Sequence, residues 1–199
     1  MQITVGIITI SDRASAGDYK DLGGPALKDE AHKAGWQLLA EAIVPDDLKR
    51  IQETIRSFAQ QGCGLILMTG GTGIGPRDVT PEAIRGIMRV ELPGFGEVMR
   101  AESMKITPNS ILSRSLAAIV DHSLVIALPG KPSGAVECLG FVQGAIPHGV
   151  ALAQGDAHIM LMLGVQQCST LFSYPSVRPN QQSHELAAIV CEMRVIFVT

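Results

Sequence analysis

The chain holds 199 residues, 46% of them hydrophobic and 18% charged, a balance that supports a packed core and excludes disorder throughout. That length suits one domain and a remnant rather than two full domains. The formal net charge of −3 argues against a nucleic-acid binder, which carries a basic excess. An anionic ligand would therefore need local help from backbone N–H groups, a few Arg and Lys side chains or a divalent cation.

Residues 3–10 open the chain as a strand in which Val5, Ile7, Ile8 and Ile10 are β-branched and apolar. A continuous apolar run suits a strand covered on both faces, as in parallel sheets. It ends at Ser11-Asp12-Arg13, and a polar loop is expected to about residue 24. Pro25 then starts a helix to about Lys33, closed by Gly35. Residues 36–44 read as a second strand, closed by Pro45-Asp46-Asp47. The next helix spans about 47–61, with Leu48, Ile51, Ile55 and Phe58 at helical spacing and Gly62 as its stop.

The stretch that organises the chain is residues 64–83. Leu65-Ile66-Leu67-Met68 is a short apolar run that suits a buried strand. Thr69-Gly70-Gly71-Thr72-Gly73-Ile74-Gly75-Pro76 is too rich in glycine for helix or ladder. Its backbone N–H groups can form a concave anion site. Asp78 follows, and then a helix start is expected, with Thr80 as N-cap and Pro81 in the first turn. Strand, glycine loop and helix N-terminus together are a common way to hold a phosphate. The bland alternative is a tight turn without a ligand. Neither the Walker pattern nor the dinucleotide fingerprint fits, because Gly75 is followed by Pro76 and comes one residue too early after Gly73.

Helices are expected over about 81–89 and 97–104, an antiparallel strand pair over 115–120 and 123–128, and a last helix over about 133–152. The fold class is α/β, a mainly parallel sheet flanked by helices on both faces with one antiparallel strand pair. Residues 1–155 form the domain, and residues 156–199 a tail of different character that is expected to be dispensable for the chemistry. Cys63, Cys138, Cys168 and Cys191 form no C-x-x-C pair or zinc spacing and read as free thiols in a reducing compartment. No basic region precedes the first apolar run, and no apolar run approaches the roughly 20 residues needed to cross a bilayer. The expected location is the cytoplasm, with neither membrane nor nucleic acid as partner.

Ligands of doubly wound sheets collect beyond the carboxyl ends of the strands. Asp12, Asp46 and Asp78 follow three such strands. Carboxylates beside bound phosphates are a usual way to hold Mg²⁺. Each has a second reading: Asp46 as the N-cap of the next helix, Asp78 as a turn brace or partner of Arg77, Asp12 as a loop brace paired with Arg13. Arg13, Arg77, Arg100, Arg114 and Lys131 are the candidate contacts for polyanions, and the second reading of each taken singly is a solvated surface cation.

The string TGGTGIGPRDVTPEA resembles the signature of the MogA/MoaB family of molybdenum-cofactor biosynthesis proteins, which includes the N-terminal domain of gephyrin. Further matches are Ser11-Asp12-Arg13, the Leu92-to-Glu97 block, Leu112-Ser113-Arg114, and Leu128-Pro-Gly-Lys-Pro132 with Glu137, in the family's order. The resemblance implies a Mg²⁺-dependent molybdopterin adenylyltransferase with ATP and molybdopterin as substrates. It implies that Asp46 and Asp78 are the two aspartates needed for catalysis and that they hold the metal. It places Ser11, Asp12, Gly70, Gly71, Thr72, Gly73, Ser113, Pro129, Gly130, Lys131 and Pro132 at the ligands. A homotrimer and a molybdenum-insertion protein as partner are implied as well. The alternative is a non-catalytic molybdopterin-binding or scaffold module of the same fold.

Overall fold

A computed structural model describes residues 2–155; the tail at residues 156–199 lies outside the described residues. The elements are β1 (Thr4–Ile10), α1 (Asp12–Ser15), α2 (Gly23–Lys33), β2 (Gln37–Val44), α3 (Leu48–Gln60), β3 (Leu65–Thr69) and α4 (Thr80–Arg85). They continue as β4 (Val90–Glu91), α5 (Pro93–Met104), β5 (Leu116–Val120), β6 (Ser123–Leu128), α6 (Pro132–Val142) and α7 (Ile146–Ala153). Short 3₁₀ turns cover Pro108–Leu112 and Gln143–Ala145.

The strands form one six-stranded sheet in the order β2-β1-β3-β6-β5-β4. β2, β1, β3 and β6 run parallel. β5 is antiparallel to β6, which is the expected strand pair, and the two-residue β4 extends it at the edge. The pair turns at Asp121, which takes φ 52, a conformation that Asp tolerates better than most residues.

Alternate residues of the central strands face opposite layers, as a period of two requires. Val5, Ile7, Leu65, Leu67, Leu124 and Ile126 pack with Leu27, Met99, Leu139, Ile146 and Val150 from α2, α5, α6 and α7. Ile8, Ile10, Ile66, Met68, Val125 and Ala127 pack with Ile51, Ile55, Phe58 and Ile84 from α3 and α4. β1 is therefore followed by a helix on one face and β2 by a helix on the other. The chain reverses direction across the sheet between β1 and β3, and the crevice beyond their carboxyl ends is where such sheets bind ligands.

Several boundaries differ from the sequence reading, each for a local reason. The polar stretch after β1 contains a one-turn helix, because the Ser11 hydroxyl caps it by accepting from Ala14 N at 3.2 Å. Asp47, not Asp46, caps α3, accepting from Arg50 N at 2.9 Å. α4 stops at Arg85, and the chain then turns into β4, with Arg89 N donating to Ile119 O at 2.8 Å. α5 begins at Pro93, whose fixed φ suits a first helical turn. The expected last helix is two helices, divided by a 3₁₀ turn at Gly144 just before Pro147. Taken together, Pro132–Ala153 is long and apolar enough to cross a membrane by length and composition. Its inward side chains, Ala135, Leu139, Val142, Ile146 and Val150, belong instead to the core against the sheet.

At Gly6 the sheet leaves no room for a side chain beneath α3. A Cβ there would lie 2.5 Å from Phe58 Cδ2 and 3.1 Å from Cys63 Sγ. Gly6→Ala should therefore overpack this layer and destabilise the protein by about 1–3 kcal/mol, read as a lower urea midpoint. An unchanged midpoint would mean that the α3 layer yields freely.

Candidate active site

The loops leaving β1 and β3 meet backbone to backbone. Gly70 has φ 106, and a Cβ on it would lie 2.1 Å from Ile10 O. Gly71 has φ 62, and a Cβ there would meet Thr80 Oγ1 at 2.3 Å and Asp46 Oδ1 at 3.0 Å. Both positions demand glycine, for space and for backbone conformation. Gly73 differs: its φ is ordinary, and its Cβ would strike Asp78 Oδ2 at 2.8 Å.

The loop is held from behind. Thr80 does not cap α4. Its hydroxyl donates to Gly70 O at 2.9 Å and its N–H to Gly71 O at 3.1 Å. Thr69 Oγ1 donates to Pro129 O at 2.8 Å, tying β3 to the loop after β6. Asp78 Oδ2 accepts from Gly75 N at 2.7 Å and closes the loop on itself. Among the described residues, the N–H groups of Gly71, Thr72, Gly73 and Ile74 donate to no acceptor, which leaves them for an anion.

The aspartates form an interlocked set. Asp12 N donates to Asp46 Oδ2 and Asp46 N to Asp12 Oδ1, both at 3.0 Å, although the two residues are 34 apart. Arg77 grips Asp12 through Nε at 3.0 Å and Nη2 at 2.9 Å. The Arg77 guanidinium, helped by the Asp46 N–H, holds the Asp12 carboxyl below its ordinary range. Asp46 moves the other way. Burial pushes its carboxyl up, and the charges of Asp12 and Asp78 add to that push against the hydrogen bond from Asp12 N.

Two cavities flank this centre. The first, of about 450 Å³, is lined by Ser11, Asp46, Gly70, Gly71, Asp78 and Lys131, with Arg13 and Tyr19 on its outer wall. The second, of about 530 Å³, is lined by Thr72, Gly73, Ser113, Lys131 and Glu137, with the Ile106-to-Leu112 segment opposite. Both are within the size range of small-molecule sites. The glycine loop passes from one to the other, and Gly130 and Lys131 line both. At that ridge a Cβ on Gly130 would lie 3.3 Å from Gly70 Cα.

Residues 6–148 match the family model described as "Probable molybdopterin binding domain". The chain belongs to that family. It is 43% identical over 157 residues to a molybdopterin adenylyltransferase of Helicobacter pylori strain J99, covering 77% of this chain and 89% of the relative. It is 38% identical over 156 residues to that of Escherichia coli K12, covering 74% and 80%. The crystal structure of the molybdopterin biosynthesis enzyme MoaB from Thermus thermophilus superposes with a TM-score of 0.73 at 37% identity, over 77% of this chain and 98% of that one.

In this molybdopterin-binding domain the fold brings most of the expected residues together. Asp46, Asp78, Ser11, Gly70, Gly71, Gly130, Lys131 and Pro132 share the first cavity, and Thr72, Gly73, Ser113 and Pro129 line the second. Three expectations change. Asp12 does not line either cavity and is engaged by Arg77, not by Arg13. The Thr72 side chain is buried, its hydroxyl directed at Leu128 O at 3.5 Å, so only its backbone can face a ligand. Of the five candidate cations, Arg77 and Arg114 are committed to acidic partners and Arg100 to the Ser113 and Ser115 carbonyls. Arg13 lies over the Tyr19 ring, 4.9 Å from its centroid. The Tyr19 wall and the 106–112 segment were missed by sequence reasoning, because isolated side chains in polar loops carry no period or motif.

The glycines should separate in stability. Gly71→Val puts a β-branched residue at positive φ against Thr80 and Asp46 and should cost about 2–4 kcal/mol. Gly73→Ala needs only a carboxylate to move and should cost about 1 kcal/mol or less. Equal urea midpoints for the two variants would contradict this account of the loop.

Proposed function

We propose that the protein transfers AMP from ATP to the terminal phosphate of molybdopterin, in molybdenum cofactor biosynthesis. The observation that carries this reading is the pair of cavities meeting at Lys131, with the glycine loop running through both. One site for one ligand needs no such arrangement. Two phosphate-bearing ligands brought to reaction distance do, and alignment of two reactants is itself a large part of catalysis. The names of the relatives support the same chemistry.

In this mechanism an oxygen of the pterin phosphate attacks the α-phosphorus of ATP. The bond from that phosphorus to the bridging oxygen breaks, pyrophosphate leaves with the electron pair, and a new phosphoanhydride forms. No nucleophilic side chain is required. The chain's work is to hold two anions against their mutual repulsion. The loop N–H groups and the Lys131 ammonium do so by charge and direction.

Mg²⁺ fits the donor set. Asp46 and Asp78 each spend one oxygen on a backbone N–H and retain the other, and both line the first cavity. No group of three or more metal-ligating side chains occurs among the described residues. Mg²⁺ takes one or two carboxylates and completes its shell with water and substrate phosphates. Asp46 and Asp78 would hold it, and when bound it would supply charge neutralisation on the ATP phosphates. The homotrimer, the cytoplasmic location and the hand-over of the adenylylated product to a molybdenum-insertion protein belong to the same proposal.

The decisive experiment measures pyrophosphate release beside a molybdopterin titration. Asp46→Asn and Asp78→Asn should each lower turnover by about a hundredfold and leave pterin affinity near its wild-type value. Gly73→Ala should show a milder form of the same defect, since its methyl group displaces the Asp78 carboxylate. Near-normal turnover in both aspartate variants would remove them from the active site. A wild-type protein that binds the pterin and releases no pyrophosphate is a binding module instead.

The pH profile follows from Asp46. The ionised carboxylate is the active form, and a raised acid takes up its proton at higher pH than usual. Activity should therefore fall on acidification already above pH ~4, the ordinary aspartate range. This acid limb of kcat/KM should be missing from the residual activity of Asp46→Asn. A limb that persists unchanged in that variant belongs to another group.

A further inference from the structure

Arg114 was one of the five candidate contacts for polyanions. The structure gives it a different task. It stands just before β5, and its main-chain N–H donates to Thr72 O at 3.0 Å. Its guanidinium donates through Nε to Gly73 O at 2.6 Å, through Nη2 to Asp78 O, and through Nη1 to Glu82 Oε1. One residue thus holds three carbonyls of the glycine loop and the first turn of α4. The side chain is only 31% exposed, each of its three nitrogens has an acceptor in the loop or in α4, and it lines neither cavity.

A planar trans peptide points its carbonyl and the following N–H in opposite directions. Holding the carbonyls of Thr72, Gly73 and Asp78 toward Arg114 turns the N–H groups of Gly73, Ile74 and Val79 away from it. Gly73 and Ile74 line the second cavity, and their N–H groups donate to no acceptor among the described residues. The Asp78 carbonyl is held by Arg114 while its carboxylate takes Gly75 N. The residue is therefore fixed at both its main chain and its side chain.

We infer that Arg114 is a positioning residue: through the Gly73 and Asp78 carbonyls its guanidinium aims the Ile74 N–H of the glycine loop and sets the place of the Asp78 carboxylate, without touching either substrate. The fork geometry is essential, because three acceptors lie in different directions and an ammonium cannot reach them together. The inference rests on the adenylyl-transfer reading for its kinetic consequence and on the loop geometry alone for its structural one.

The test uses the full chain with Arg114→Ala, Arg114→Lys and Glu82→Gln. Pyrophosphate release is measured against ATP concentration, and amide hydrogen exchange is followed over residues 71–79. In Arg114→Ala, kcat should fall by about thirtyfold or more, as a misplaced group does, while KM for ATP changes by less than about threefold. Arg114→Lys should stay close to Arg114→Ala. Added ethylguanidinium should restore part of the loss in Arg114→Ala and none in wild type. Exchange should quicken over 71–79 and not in β3 or β6. Glu82→Gln, which removes only the outer anchor, should show a smaller loss and the same exchange pattern, and it serves if Arg114→Ala fails to fold. Turnover within twofold of wild type, full rescue by lysine, or exchange that quickens across the whole sheet would each overturn the inference. If wild type itself releases no pyrophosphate, the functional reading fails, and the exchange pattern alone decides the place of Arg114.

Discussion

The site depends on one close approach, that of Gly70 to the carbonyl of Ile10. No side chain fits there, since a Cβ would come within 2.1 Å of that oxygen. The contact lets the ends of β1 and β3 touch through backbone alone, at the point where the sheet's winding reverses. Everything downstream follows from it. Gly71 can then lie under Asp46, Thr80 can reach back to Gly70 O, and the loop after β6 can close over Gly70 at Gly130. A larger residue would hold these pieces apart, and the carboxylates and the N–H groups would no longer face the same space.

Around that contact the charges are arranged by partner rather than by sign. Asp12 is paired with Arg77 and lines neither cavity, and it fixes Asp46 through two reciprocal hydrogen bonds from backbone N–H to carboxylate. Asp46 and Asp78 keep an oxygen each. The raised carboxyl of Asp46 reflects a group half withdrawn from water beside two like charges. Such a site favours whatever brings positive charge into it. The chain's negative balance is thus no obstacle to the proposed polyanionic ligands, because Lys131 and loop N–H groups unpaired among the described residues line the cavities in place of a basic surface.

The fold was largely legible in the sequence. The apolar runs of β1, β3 and β6, the helical spacing of Ile51, Ile55 and Phe58, and the glycine loop each carry a local signal that the tertiary structure does not contradict. The residues expected at the site mostly gather around the two cavities, while their local roles were less legible. Asp46 and Asp47 are adjacent and of the same type, so spacing could not say which one caps α3. Thr80 precedes Pro81 as a cap would, but a carbonyl of the glycine loop claims its hydroxyl. The partner of Asp12 is Arg77, 65 residues away, and no local pattern reports such a pair. Arg114 looked like a surface cation because its three acceptors are backbone oxygens, which have no sequence signature.

The exchange between Asp12 and Asp46 spans 34 residues, the bond from Thr69 to Pro129 spans 60, and the grip of Arg77 on Asp12 spans 65. The centre therefore has no local nucleus. Long-range contacts must meet their loop-closure cost before they contribute any stability, so these loops take their places only after the parallel strands have paired. A fragment that stops short of Lys131 lacks a residue that lines both cavities. The ends of β1, β3 and β6 line the first cavity together only once the sheet is complete.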